Sequence, residues 1–193
     1  MSSIDVSRPS AVARLRSAPV IGATVALAAV VAAAQPSAHA AVLRAVLVVL
    51  LVPCALIDIE RRIIPNLITG PGCLGALVLG LALAPGSESQ RLLWAGLCGG
   101  FLLIAALAKP GGMGMGDVKL VAMMGLFLGA PVAVALLLAL LGTSVAAIVL
   151  ARRHGVRAAR ATGLPFGPYL AVAGVIAALA GDPLIHAYLS LHG

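Results

Sequence analysis

The chain of 193 residues is 62% apolar and 10% charged, with a mean hydropathy of +1.13. Soluble domains are about half apolar and a quarter charged, so the composition excludes an ordinary soluble enzyme and predicts one membrane domain with several spans of roughly 20 residues. The net charge of +7 would suggest a nucleic-acid partner in a soluble protein, but the basic residues lie in short connections between apolar runs, where they set membrane orientation. No nucleic acid is expected as a partner.

Residues 1–17 are polar and carry Arg8, Arg14 and Arg16. Ala18 to Ala34 is apolar throughout and predicts a first helix, followed by Ala38-His39-Ala40, which has the form of a signal-peptidase site. A retained helix and a cleaved signal peptide both stay open. The length of the apolar run favours retention, and either reading leaves Ala41 on the outer side.

A second span is expected from Ala41 to Ile57, with its single charge, Arg44, close enough to the outer end to snorkel. Asp58 closes that span at its inner end. The connection Ile59-Glu60-Arg61-Arg62-Ile63-Ile64-Pro65-Asn66 is charged, then ends in a proline that suits the first turn of a new helix. Leu67 to Ala84 predicts the third span, residues 85–91 a loop, and Leu92 to Ala108 the fourth. Lys109-Pro110 and the glycine-rich stretch Gly111-Gly112-Met113-Gly114-Met115-Gly116 then lead into Asp117, Val118 and Lys119.

From Leu120 to Ala151 there is no charge, and Gly129-Ala130-Pro131 breaks this run into a short fifth helix and a full sixth. A basic loop with Arg152, Arg153, Arg157 and Arg160 precedes Gly163-Leu164-Pro165-Phe166-Gly167-Pro168. That segment opens a last span expected to end near Gly181-Asp182-Pro183. The fold expected is all-α, a polytopic bundle of transmembrane helices.

With the N-terminus inside, Arg8, Arg14, Arg16, Arg61, Arg62, Lys109, Lys119, Arg152, Arg153, Arg157 and Arg160 are cytoplasmic, and only Arg44 and Arg91 lie outside. This asymmetry puts Asp58 and Asp117 on the same, cytoplasmic side. An ionisable side chain at membrane depth points to function unless it is paired, and two adjacent carboxylates cannot both ionise, so they share one proton and titrate as a unit. That asymmetry suits hydrolysis, in which one group accepts a proton from water while the other polarises a carbonyl. The fields at helix ends assign the charge to Asp117, at a helix N-terminus, and the proton to Asp58, at a C-terminus. The competing reading makes both aspartates caps at the interface.

Cys54, Cys73 and Cys98 are odd in number, lie in apolar sequence and form no C-x-x-C pair, so they read as packing residues. His39, His154, His186 and His192 lack metal-ligand spacing. Neither a metal nor a cofactor is expected. Lys119 reads first as an interfacial lysine snorkelling to lipid phosphate, and second as a group that steadies an anionic intermediate. A small transporter subunit whose aspartates bind a proton or cation is a rival reading, but it predicts acids nearer the midplane and a repeat that the chain lacks.

Gly114-Met115-Gly116-Asp117-Val118-Lys119-Leu120, preceded by Gly111-Gly112-Met113, resembles the G-x-G-D signature of the type IV prepilin peptidases. Asp58 followed by Ile64-Pro65-Asn66 resembles that family's first-aspartate motif, and Pro165-Phe166-Gly167-Pro168 its C-terminal segment. The resemblance spans Ala41 to about Ile185. It implies a six-helix core plus one extra N-terminal helix, divided as a cytoplasmic segment 1–17, the extra helix and loop 18–40, and a peptidase-like membrane domain 41–193.

It further implies that Asp58 and Asp117 are catalytic and that Gly114, Gly116, Lys119, Pro65, Asn66, Pro165 and Gly167 support them. The implied activity is an aspartic endopeptidase in the cell membrane that faces the cytoplasm. It cuts pilin or pseudopilin precursors, including those of Flp-type systems, after a glycine that ends a short basic leader and precedes a hydrophobic helix. Longer members also carry a cytoplasmic domain with paired C-x-x-C motifs and N-methylate the new N-terminus. That domain has no counterpart in this sequence, which argues against methyltransferase activity. The presenilin-like proteases share G-x-G-D, but their Tyr-Asp and Pro-Ala-Leu motifs are missing.

Overall fold

A computed structural model of the chain describes residues 15, 17–109, 113–155 and 164–192. Among the described residues there are seven α-helices and no strand: α1 (Ala18–Ala33), α2 (Ala38–Arg61), α3 (Asn66–Leu83), α4 (Glu88–Ala108), α5 (Met115–Leu128), α6 (Pro131–His154) and α7 (Gly167–His192). Five of them, α2, α3, α4, α6 and α7, are long and apolar enough to cross a membrane. The expected all-α helical bundle and the break at Gly129-Ala130-Pro131 are both present. Arg8, Arg14, Arg16, Gly111, Gly112, Arg157, Arg160 and Gly163 lie outside the described residues, as do the side chains of His186 and His192.

The bundle is organised around its shortest helix. Beyond Lys119, α5 is apolar on every side, and it is buried from Val118 to Leu128 except at Lys119 and Ala122, which marks it as a core helix. Its 14 residues span only about 21 Å, short of a bilayer core of about 30 Å, so it lies inside a wall formed by its longer neighbours. Its closest neighbour is α4. A Cβ on Gly125 would lie 2.5 Å from the Ala95 Cα and one on Gly99 3.1 Å from the Ala122 Cβ, a spacing that small residues permit where lipid supplies no hydrophobic drive for association. α6 packs on α7, α1 on α2, and α2 on α7.

Three expectations are corrected. α2 extends to Arg61, so Asp58 sits within its last turn. α7 continues through Pro183 to His192, because a proline removes only its own N–H donor and a helix whose flanks are held elsewhere can run past it. One of those supports is the third correction, Arg44, which does not snorkel.

Arg44 is 7% exposed and pairs through Nη2 with Asp182. Its Nη1 donates to Gln35 Oε1 and, at 2.9 Å, to the Ala178 carbonyl. Gln35 Nε2 in turn donates to the Val31 and Ala178 carbonyls at 2.7 and 3.1 Å. Buried charge is tolerable only with such partners, and here the partners come from α7 and the α1–α2 turn. Nearby, buried Arg91 and Glu88 pair at 3.4 Å in the first turn of α4.

Candidate active site

From Arg44, α2 runs about 21 Å to Asp58 at the opposite end of the bundle. Asp58 is 5% exposed. Its carboxylate accepts a hydrogen bond from the Gly167 N–H, at 3.0 Å to Oδ2, which is the first residue of α7. Only glycine fits there: a Cβ on residue 167 would lie 2.7 Å from Oδ2 and 2.9 Å from Cγ of Asp58. The Pro165-Phe166-Gly167 segment thus presents a helix N-terminus, with its free N–H and positive field, directly to the aspartate.

This removes the expected division of the proton. Asp58 ends its own helix but faces the start of another, and Asp117 lies in the first turn of α5, so helix-end fields no longer distinguish the two. Each aspartate's own helix is legible in the sequence, whereas the arrival of α7 across the fold is not.

Asp117 is half-buried. Its N–H bonds to the Gly114 carbonyl at 3.1 Å, and its Oδ2 lies 3.3 Å from where a Cβ on Gly114 would stand, so the carboxylate folds back over the glycine that opens the helix. Gly116 meets the other motif: a Cβ there would approach the Ile64 Cβ to 2.9 Å, and Ile64 is buried. Next to it, Pro65 accepts the Ile68 and Thr69 N–H groups and starts α3. Lys119 Nζ donates to Asn66 Oδ1 at 2.9 Å. Two stretches about 50 residues apart are therefore joined by one steric fit and one side-chain hydrogen bond.

Asp58 and Asp117 line one cavity of about 360 Å³ with Arg62, Met113 and Gly114. Leu140, Thr143 and Ser144 of α6 also line it, as do Leu164, Pro165 and Phe166. α6 runs on from Thr143 to His154, roughly 16 Å of helix past the cavity. Among the described residues neither aspartate forms an ion pair, and no three His, Cys, Asp or Glu side chains gather as a metal site requires. Arg62, Thr143 and Ser144 are cavity residues that sequence reasoning missed. Thr143-Ser144 had a signal, being the sole hydroxyls in the uncharged run from Leu120 to Ala151.

Comparison with known proteins places these elements in a family. The type IV leader peptidase family model matches residues 45–152, a stretch that includes both aspartates and stops before Pro165. The prepilin leader peptidase/N-methyltransferase of Aeromonas salmonicida is 36% identical over 152 residues, 72% of this chain and 50% of the relative. That of Pseudomonas aeruginosa is 42% identical over 96 residues, 48% of this chain and 32% of the relative, and that of Bacillus subtilis 34% over 163 residues, 76% and 58%. The chain spans about half the length of the first of these. No solved structure matches. With more than half of its residues matched by the family model, the chain belongs to the type IV leader peptidase family.

Proposed function

We propose that this protein is a membrane aspartic endopeptidase that removes the short basic leader from prepilin-like precursors, with Asp58 and Asp117 as its catalytic pair. The observation that carries this reading is their shared placement. Two acids from remote parts of the chain line one cavity without an ion-pair partner among the described residues. A buried acid serving structure alone is normally paired.

In this reading one carboxylate is ionised and takes a proton from water as the water oxygen attacks the scissile carbonyl carbon. The other, protonated, gives its proton to the carbonyl oxygen. Collapse of the intermediate breaks the C–N bond: the proton held by the first carboxylate passes to the leaving nitrogen, and a hydroxyl proton of the intermediate returns to the second carboxylate, which restores the starting pair. Gly167 fixes Asp58 through its N–H, Gly114 and Gly116 allow the turn and close approach that set Asp117, and Lys119 with Asn66 ties the two motifs together.

The excess of basic residues at the Asp58 end supports a cytoplasmic-facing site in the cell membrane. Residues 41–193 would form the peptidase domain, 18–40 an added helix and loop, and 1–17 a cytoplasmic segment. Its partners would be prepilins or pseudopilins, including Flp-type ones, together with the bilayer. The proposal covers hydrolysis alone and assigns no residue to methyl transfer.

Co-expression of a prepilin with wild type, Asp58→Ala and Asp117→Ala, with leader loss followed by gel shift, tests it. Processing by wild type and by neither variant is expected. Full processing by either variant would refute the assignment.

A further inference from the structure

Arg62 is a cavity residue that the mechanism above leaves unused. It ends α2 with φ 54° and ψ 37°, and it is the only non-glycine residue with positive φ among the described residues. A side chain is disfavoured in that conformation, and helix ends that need it usually carry Gly or Asn. The turn itself rests on the Arg62 N–H, which donates to the Asp58 carbonyl at 2.8 Å, a bond that any residue but proline can make. An arginine at this position is therefore not explained by the turn.

Its side chain lines two clefts. One is the 360 Å³ cavity, and the other is a cleft of about 220 Å³ bounded by Ile63, Ile64 and the Gly114–Asp117 turn. Both aspartates line both clefts, and among the described residues Arg62 is the only basic side chain in either. It forms no ion pair within 4 Å among those residues, its side chain is exposed, and its charge lies close enough to act on the Asp58 carboxylate. A guanidinium offers five N–H donors and keeps its charge at any working pH, whereas a pair of aspartates offers one proton. Peptide hydrolysis places growing negative charge on the carbonyl oxygen, and a pre-placed donor at that position typically accounts for about 10²–10³ in kcat.

We infer that Arg62 is a further catalytic residue, whose guanidinium donates hydrogen bonds to the substrate's scissile carbonyl oxygen as charge develops there. This rests on the proposed peptidase function and extends it.

The test uses the full chain in membranes or detergent, with a synthetic precursor probe: a short basic leader ending in glycine, followed by a hydrophobic helix. Arg62→Gly and Arg62→Asn both suit the left-handed turn while removing the charge, and Arg62→Lys keeps the charge. The expected result is normal accumulation and unchanged thermal unfolding for Arg62→Gly and Arg62→Asn, with kcat lowered about 10²-fold and KM within about threefold. Arg62→Lys should recover at least about a tenth of wild-type kcat. A kcat within about threefold of wild type for Arg62→Gly, a loss confined to KM, or failure of both Arg62→Gly and Arg62→Asn to accumulate would overturn the inference. The Asp58→Ala and Asp117→Ala controls separate the two failures. If those variants still cleave, or wild type does not, the peptidase reading falls and this inference falls with it.

Discussion

The two ends of the bundle treat their acids in opposite ways. At the Arg44 end, Asp182 meets Arg44 and Glu88 meets Arg91, and backbone carbonyls and Gln35 take up further guanidinium donors. At the other end, Asp58 meets a backbone N–H and Asp117 folds over a glycine, with no ion pair among the described residues. Both ends belong to the same helices, so the contrast is local. The Asp182–Arg44 pair ties α7 to α2 and the Glu88–Arg91 pair closes the first turn of α4, while unpaired acids that line a cavity remain available to a substrate.

Substitutions that exchange these characters test the comparison. The largest effect is expected for Gly167→Ala, whose new methyl would overlap the Asp58 carboxylate and push it out of position. Precursor cleavage by purified protein should fall about 10²-fold, while the melting temperature in detergent stays near that of wild type. Unimpaired cleavage would mean that Asp58 need not sit where α7 holds it.

At the opposite end the signs reverse. Arg44→Leu strands Asp182 and two polar partners, and is expected to lower stability by roughly 1–3 kcal/mol, less than the roughly 3–5 kcal/mol for breaking a fully buried pair because Asp182 is partly exposed. Cleavage per folded molecule should not change. Denaturant titration in mixed micelles checks the first expectation and single-turnover cleavage the second, and the Arg44→Leu/Asp182→Leu double variant should recover most of the loss. The smallest effect is expected for Lys119→Ala. Its exposed hydrogen bond to Asn66 is worth about 0.5–1 kcal/mol, so cleavage should drop no more than about fivefold. A larger loss would assign the lysine a direct part in the chemistry.

Much of this was legible in the chain. The long apolar runs gave the helices, Gly129-Ala130-Pro131 gave the break before α6, and the charged connections put Asp58 and Asp117 at the same end. What could not be read depended on contacts across the fold. The burial of Arg44 needs Asp182, 138 residues away, and without that partner a lone arginine near a helix end reads as snorkelling. A second field on Asp58 comes from α7, 109 residues on, and opposes what its own helix would impose. Pro183 looked like a terminator because the sequence does not show that the Asp182–Arg44 pair anchors the turn beside it.

The central claim is that Asp58 and Asp117 work as one unit. Single-turnover cleavage by Asp58→Asn, Asp117→Asn and the double variant tests this most directly. Groups that share one step are lost together, so each single variant should lose nearly as much rate as the double. Losses that multiply in the double variant, or a single variant that retains the wild-type rate, would contradict the claim.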